Sequence, residues 1–236
     1  MPRNMSLFLL DPLLFLVIGS MSGALVFIVA SSPPGIASFS TIVGEADIDD
    51  LLEKSRTNIE DVILGVSLGE WLERAFIVMA PFTAVVASYT LGMDRELGYS
   101  RLIFLGGIPR IRYFAHRLLV PWVACSAAAG GSMAFGLVLI DVFMILSYPI
   151  PLVRLALKAL ILAGLQLLLC YVTVILIRGG YRALVASLLL MYLIGLSGAW
   201  RILASPGDIL FDSMVASVLA GAIVVVYFYA VRRLPV

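Results

Sequence analysis

"ALILAGLQLLLCYVTVILI", residues 159–177, runs for 19 residues without one charged side chain. As a helix it would be roughly 30 Å long, the thickness of a bilayer's hydrocarbon core. Hydrocarbon offers backbone N–H and C=O groups no partner except those a helix supplies internally. The stretch therefore predicts a transmembrane helix. Working outward, five further runs meet the same test, at about 13–30, 75–92, 118–140, 183–199 and 213–231. The shortest, "ALVASLLLMYLIGLSGA" at 183–199, is bracketed by Tyr181 and Trp200, residues that favour the headgroup level. The expected fold class is an all-α integral membrane protein with six transmembrane helices in a single transmembrane domain, residues 1–236.

Composition agrees. The 236 residues are 62% hydrophobic and 13% charged, with a mean hydropathy of +1.09, where soluble domains are about a quarter charged. A net charge of +1 provides no basic field, so no nucleic-acid partner is expected and the lipid bilayer is the main environment. Cys125 and Cys170 both fall in apolar runs and read as small hydrophobes rather than a disulfide. The first run could be a signal peptide cleaved near "VASS", but Asp11 and Pro12 read better as the N-cap and first residue of a retained helix.

Lys and Arg distribution sets the expected orientation. With both termini cytoplasmic, ten basic residues lie inside (Arg3, Arg95, Arg101, Arg110, Arg112, Arg117, Arg178, Arg182, Arg232, Arg233) and six outside (Lys54, Arg56, Arg74, Arg154, Lys158, Arg201). That topology makes residues 93–117 the long cytoplasmic loop, while "RGGYR" at 178–182 is a tight turn. Residues 31–74 form an outer loop, in which Ile48, Leu51, Leu52, Ile59, Val62, Ile63 and Val66 recur at near-helical spacing among acids. An amphipathic helix lying on the membrane or capping the pathway is expected there.

The cytoplasmic loop reads "DRELGYSRLIFLGGIPRIRYFAHR" from 94 to 117 and holds five of the sixteen Lys and Arg. Its middle can form two helical turns with Tyr99, Leu102, Ile103 and Gly106 on one stripe, and with Phe104 and Leu105 making the other side apolar too. Gly106, Gly107 and Pro109 end that helix, and a basic helix restarts into the third span. A short apolar helix between charged flanks suits insertion into a groove on another protein. A basic anchor on anionic headgroups is the second reading of the same residues.

These residues resemble the segment after the second transmembrane helix in permease subunits of type-2 ATP-binding-cassette transporters. Asp94, Arg95, Glu96 and Gly98 match the family's acidic and Arg-Glu-x-Gly opening, Leu102 and Leu105 its helix, Pro109 the stop and Arg112 the basic residue after it. Where the family usually carries a Lys seven residues further on, the nearest candidate is Arg117, five residues after Arg112. The resemblance covers about a tenth of the chain, and the six-span topology with a long first outer loop extends it. Two departures are visible: only "MPRNMSLFLL" precedes the first span, and "RILASPGDILFD" is short for a re-entrant hairpin.

The resemblance implies a coupling helix between helices 2 and 3, with Asp94, Arg95, Glu96, Gly98, Tyr99, Leu102, Ile103, Leu105, Pro109 and Arg112 binding a separate cytoplasmic ATPase. It further implies a second six-helix permease chain, identical or related, and export as the activity. The expected location is the cell membrane. The rival class is a non-transporting scaffold or assembly subunit whose loop docks a different partner.

The chain is not expected to hydrolyse ATP itself. A phosphate-binding loop needs Lys after a glycine pattern, and Lys54 and Lys158 follow none. ATP and Mg would bind the partner ATPase, leaving this chain without a cofactor, metal site or catalytic residue. His116, the sole histidine, sits in the basic run without a second ligand, and none of the six apolar segments contains Asp or Glu. Gln166 and Thr173 are expected to bond a neighbouring helix or the backbone. Spans without ionisable groups suit an apolar or amphipathic cargo better than ion-coupled carriage. The nine Met show no repeat and read as packing. "GSMSG" at 19–23 and "ACSAAAGG" at 124–131 offer close helix approach, within the chain or at a dimer seam.

Overall fold

The computed structural model describes residues 12–31, 59–98, 102, 105–107, 109–140, 149–177, 179–198, and 214, 215, 217, 218, 221, 222 and 225. All regular structure among them is helical. We label the long helices α1 (Pro12–Ser31), α2 (Ile59–Ala87), α3 (Val120–Ile140), α4 (Pro149–Leu176) and α5 (Gly180–Ser197). Five helices are long and apolar enough to cross a membrane, the mark of a multi-pass membrane protein. The expected sixth, at 213–231, lies mostly outside the described residues, and those described between 214 and 225 are helical. The outer-loop residues 32–58 also fall outside them.

α4 is the centre of the bundle, packed on α3, α2 and α5, while α1 packs on α3 and α2. Outer helices are apolar on every side but bury only one stripe. In α1 that stripe is Met21, Leu25, Ile28 and Val29, and Phe15, Leu16 and Phe27 face outward. A helix apolar all round and buried on one side only is what lipid solvates. Small residues permit the inner contacts, because a Cβ on Gly130 would stand 2.7 Å from the Ala156 carbonyl and one on Gly136 2.8 Å from Val29 Cβ. Gly19 and Gly23 have nothing within 4 Å, so the α1 glycine pair packs on no described element.

Two helix boundaries differ from the hydropathy reading. α2 starts at Ile59 instead of near residue 75, which makes residues 59–74 a continuation of the spanning helix and not a separate amphipathic one. α4 starts at Pro149 instead of near 159, taking Arg154 and Lys158 into the helix. Lys158 is 4% exposed and lies in the apolar window Val153–Leu176. The expectation of spans free of ionisable groups is corrected accordingly. Both extensions have one cause: backbone hydrogen bonding continues wherever φ and ψ allow, whether or not the side chains are apolar.

Polar side chains inside the bundle are bonded as expected for Gln166 and Thr173. Gln166 Nε2 donates to the Phe76 carbonyl at 2.8 Å, close to where Pro81 leaves α2 one donor short. Thr173 Oγ1 donates to the Leu169 carbonyl at 2.9 Å. Cys125 and Cys170 are free and buried.

Candidate functional site

The loop of interest grows out of two helix ends. Beyond α2 the chain widens into a π-helical turn, Ser88–Met93, followed by a short helical piece, Asp94–Glu96. Gly98 takes φ +73°, a left-handed conformation that glycine adopts without steric cost. A helical turn follows, with Leu102 N–H donating to the Gly98 carbonyl at 3.3 Å and Gly106 N–H to the Leu102 carbonyl at 3.0 Å. Gly107, at φ +79°, stops it. The Pro109 carbonyl then accepts from the Arg112 and Tyr113 N–H groups at 2.9 and 3.3 Å, starting the return helix Arg110–Phe114. A second π-helical turn, Ala115–Leu119, leads into α3.

The acidic opening of the loop turns inward. Asp94 is only 4% exposed. Its Oδ2 accepts from the Tyr113 hydroxyl at 2.8 Å and lies 2.9 Å from Arg117 Nε, while Arg117 Nη2 donates to Oδ1 at 3.2 Å. An ion pair with Arg117 and two hydrogen bonds, from Arg117 Nη2 and the Tyr113 hydroxyl, engage both oxygens of a carboxylate that would otherwise be costly to bury. The base of the loop is thereby clamped shut.

Glu96 makes the second tie. Its Oε2 accepts from the Gly180 N–H at 2.6 Å. Gly180 begins α5, and its N-cap residue, Gly179 at φ +114°, offers no side chain to cap the helix. A carboxylate borrowed from another helix fills that role and complements the positive end of the α5 dipole. The two elements meet backbone to backbone: a Cβ on Gly92 would sit 2.9 Å from Gly180 Cα. Gly92→Ala is therefore expected to cost about 1–3 kcal/mol, lowering the unfolding midpoint by several degrees. Gly131→Ala, inside α3 with nothing within 4 Å of the added methyl, should hold or slightly raise the midpoint in the same melt.

The apolar residues do the opposite and face outward. Leu97, Leu102 and Leu105 are 59%, 63% and 70% exposed, and Met93 beside them is exposed as well. Arg112 is exposed and Arg110 half-buried on the return helix. Of the loop residues singled out from sequence, Asp94, Glu96, Gly98 and Pro109 shape the loop from its base, and Leu102 and Leu105 form its outer face. Tyr99, Ile103 and the side chain of Arg95 lie outside the described residues. Sequence reasoning passed over Tyr113, Gly92 and Gly180, and it set Arg117 aside as a displaced family position. A buried partner for Asp94 lies 19 and 23 residues downstream, and no local pattern announces it. His116 is half-buried, and no cluster of three His, Cys, Asp or Glu able to hold a metal occurs among the described residues.

Comparisons of the chain with protein-family models, with curated proteins and with solved structures return no match.

Proposed function

We propose that this chain is the membrane-spanning permease subunit of an ATP-binding-cassette transporter, carrying six spanning helices with both termini cytoplasmic. The observation that carries the proposal is the pairing of a clamped base with an apolar outer face: Asp94 and Glu96 are tied inward, while Leu102 and Leu105 are held outward. A loop that exists only to connect two helices gains nothing by exposing leucines in a fixed position. A loop that inserts into a groove on a partner needs both features.

In this proposal a cytoplasmic ATPase binds ATP and Mg and docks on residues 94–112, and a second six-helix chain completes the transporter in the cell membrane. The cargo is apolar or amphipathic and leaves by export. The test is co-expression with the ATP-binding-cassette ATPases of the same genome, followed by pull-down through a tag on the chain. Stoichiometric capture is expected, and failure to capture the ATPase in a stable, membrane-inserted preparation overturns the proposal.

Orientation has its own test. Because both native cysteines are buried, a thiol reagent that cannot cross membranes reports on introduced ones. Asp50→Cys is expected to react with reagent added outside intact cells, and Arg110→Cys only after the membrane is opened. The reverse pattern inverts the topology.

A further inference from the structure

Two π-helical turns, which no sequence pattern announces, flank the loop. Ser88–Met93 and Ala115–Leu119 bracket the loop on either side and pack against each other. Asp94 follows the first immediately, and Arg117 lies within the second. The clamp therefore joins one wide turn to the other.

Side-chain hydroxyls also reach both turns. Thr90, in the first wide turn, donates its hydroxyl to the Val86 carbonyl at 2.7 Å. Tyr171 of α4 donates its hydroxyl to the Leu118 carbonyl in the second wide turn at 3.4 Å. Hydroxyl groups thus service carbonyls in or next to both segments. The first still carries an unmet cost, since Ser88 Oγ is buried without a hydrogen-bond partner among the described residues.

We infer that these two turns form a coupled register switch, in which the Asp94–Arg117–Tyr113 clamp and the packing of the turns on each other hold both in the π form. An α-helix advances about 100° per residue, so rewinding a π turn into α geometry rotates everything beyond it by roughly that angle. Asp94 would swing out of reach of Arg117. Conversely, a partner that pulls on the loop and opens the clamp releases the turns, and loop displacement becomes rotation at the ends of α2 and α3. The elements are discrete, packed on each other and joined by the clamp, which is what a two-state device requires. The inference holds whatever protein docks on the loop, so its failure and the failure of the ATPase proposal are separate results.

Hydrogen exchange read by mass spectrometry on the purified full chain in nanodiscs tests it, with two variants. Asp94→Asn should raise exchange at 88–93 and 115–119 together, about tenfold or more, with the amides of 157–174 unchanged. Deleting Ser88 takes one residue out of the first wide turn while keeping Asp94 in register. Its remaining amides should exchange about tenfold more slowly than in the parent, and adding Asp94→Asn should no longer speed them. Acceleration confined to one segment in the Asp94 variant overturns the coupling. Should that variant loosen the whole bundle, the deletion decides alone: unchanged or faster exchange in that turn overturns the switch.

Discussion

Leu102→Ala combined with Leu105→Ala is expected to abolish co-purification of the proposed ATPase partner while leaving the chain inserted and folded. Burying one leucine is worth about 1.5–3 kcal/mol, so losing two weakens a complex by roughly two powers of ten or more. Folding is spared because both side chains are already 63% and 70% exposed in the chain by itself. The headgroup-anchor reading of the same loop predicts the contrary. Under it the leucine variant keeps its partner, and Arg110→Gln with Arg112→Gln disturbs loop sidedness instead. Arg117 is excluded from that comparison because it pairs with buried Asp94. Pull-down of the ATPase by each variant, alongside thiol labelling of the loop, separates the two, and retained binding by the leucine variant removes the docking proposal.

The largest stability effect is expected at the clamp. Arg117→Leu takes the guanidinium away from the buried Asp94 carboxylate, and stripping one partner from a buried pair costs about 3–5 kcal/mol. For a chain of this size the unfolding midpoint should fall on the order of 10 °C. Asp94→Leu with Arg117→Leu removes both charges and should recover roughly half of that loss, since no buried charge is then left without its counter-ion. Thermal melts of the two variants in one detergent decide the matter. Equal midpoints for single and double variants would mean that the pair contributes by packing and not by charge.

Helical class and the positions of the first five spans were legible in the sequence, because hydropathy over about 20 residues is a local property and lipid acts on it directly. Pro12 was read as a first helical residue, and α1 begins there. The helical turn before Gly106 and its stop at Gly107 were equally readable, since glycine and proline impose their constraints wherever they stand. The charged and apolar residues of the loop were legible as one segment, but their directions were not.

Asp94 and Leu102 looked alike as members of one docking motif, yet one is buried against Arg117 and the other faces out. That division depends on a π turn at Ser88–Met93, which shifts every later side chain around the helix axis, and on partners from distant segments: Tyr113 and Arg117 for Asp94, Gly180 for Glu96. Lys158 shows the same limit, reading as a loop residue by hydropathy and standing buried in α4. By itself the sequence determined which stretches are helical and apolar enough to span, since that follows from each stretch alone. Tertiary structure alone decided which polar groups face inward, because a buried charge goes where a partner from another segment can neutralise it.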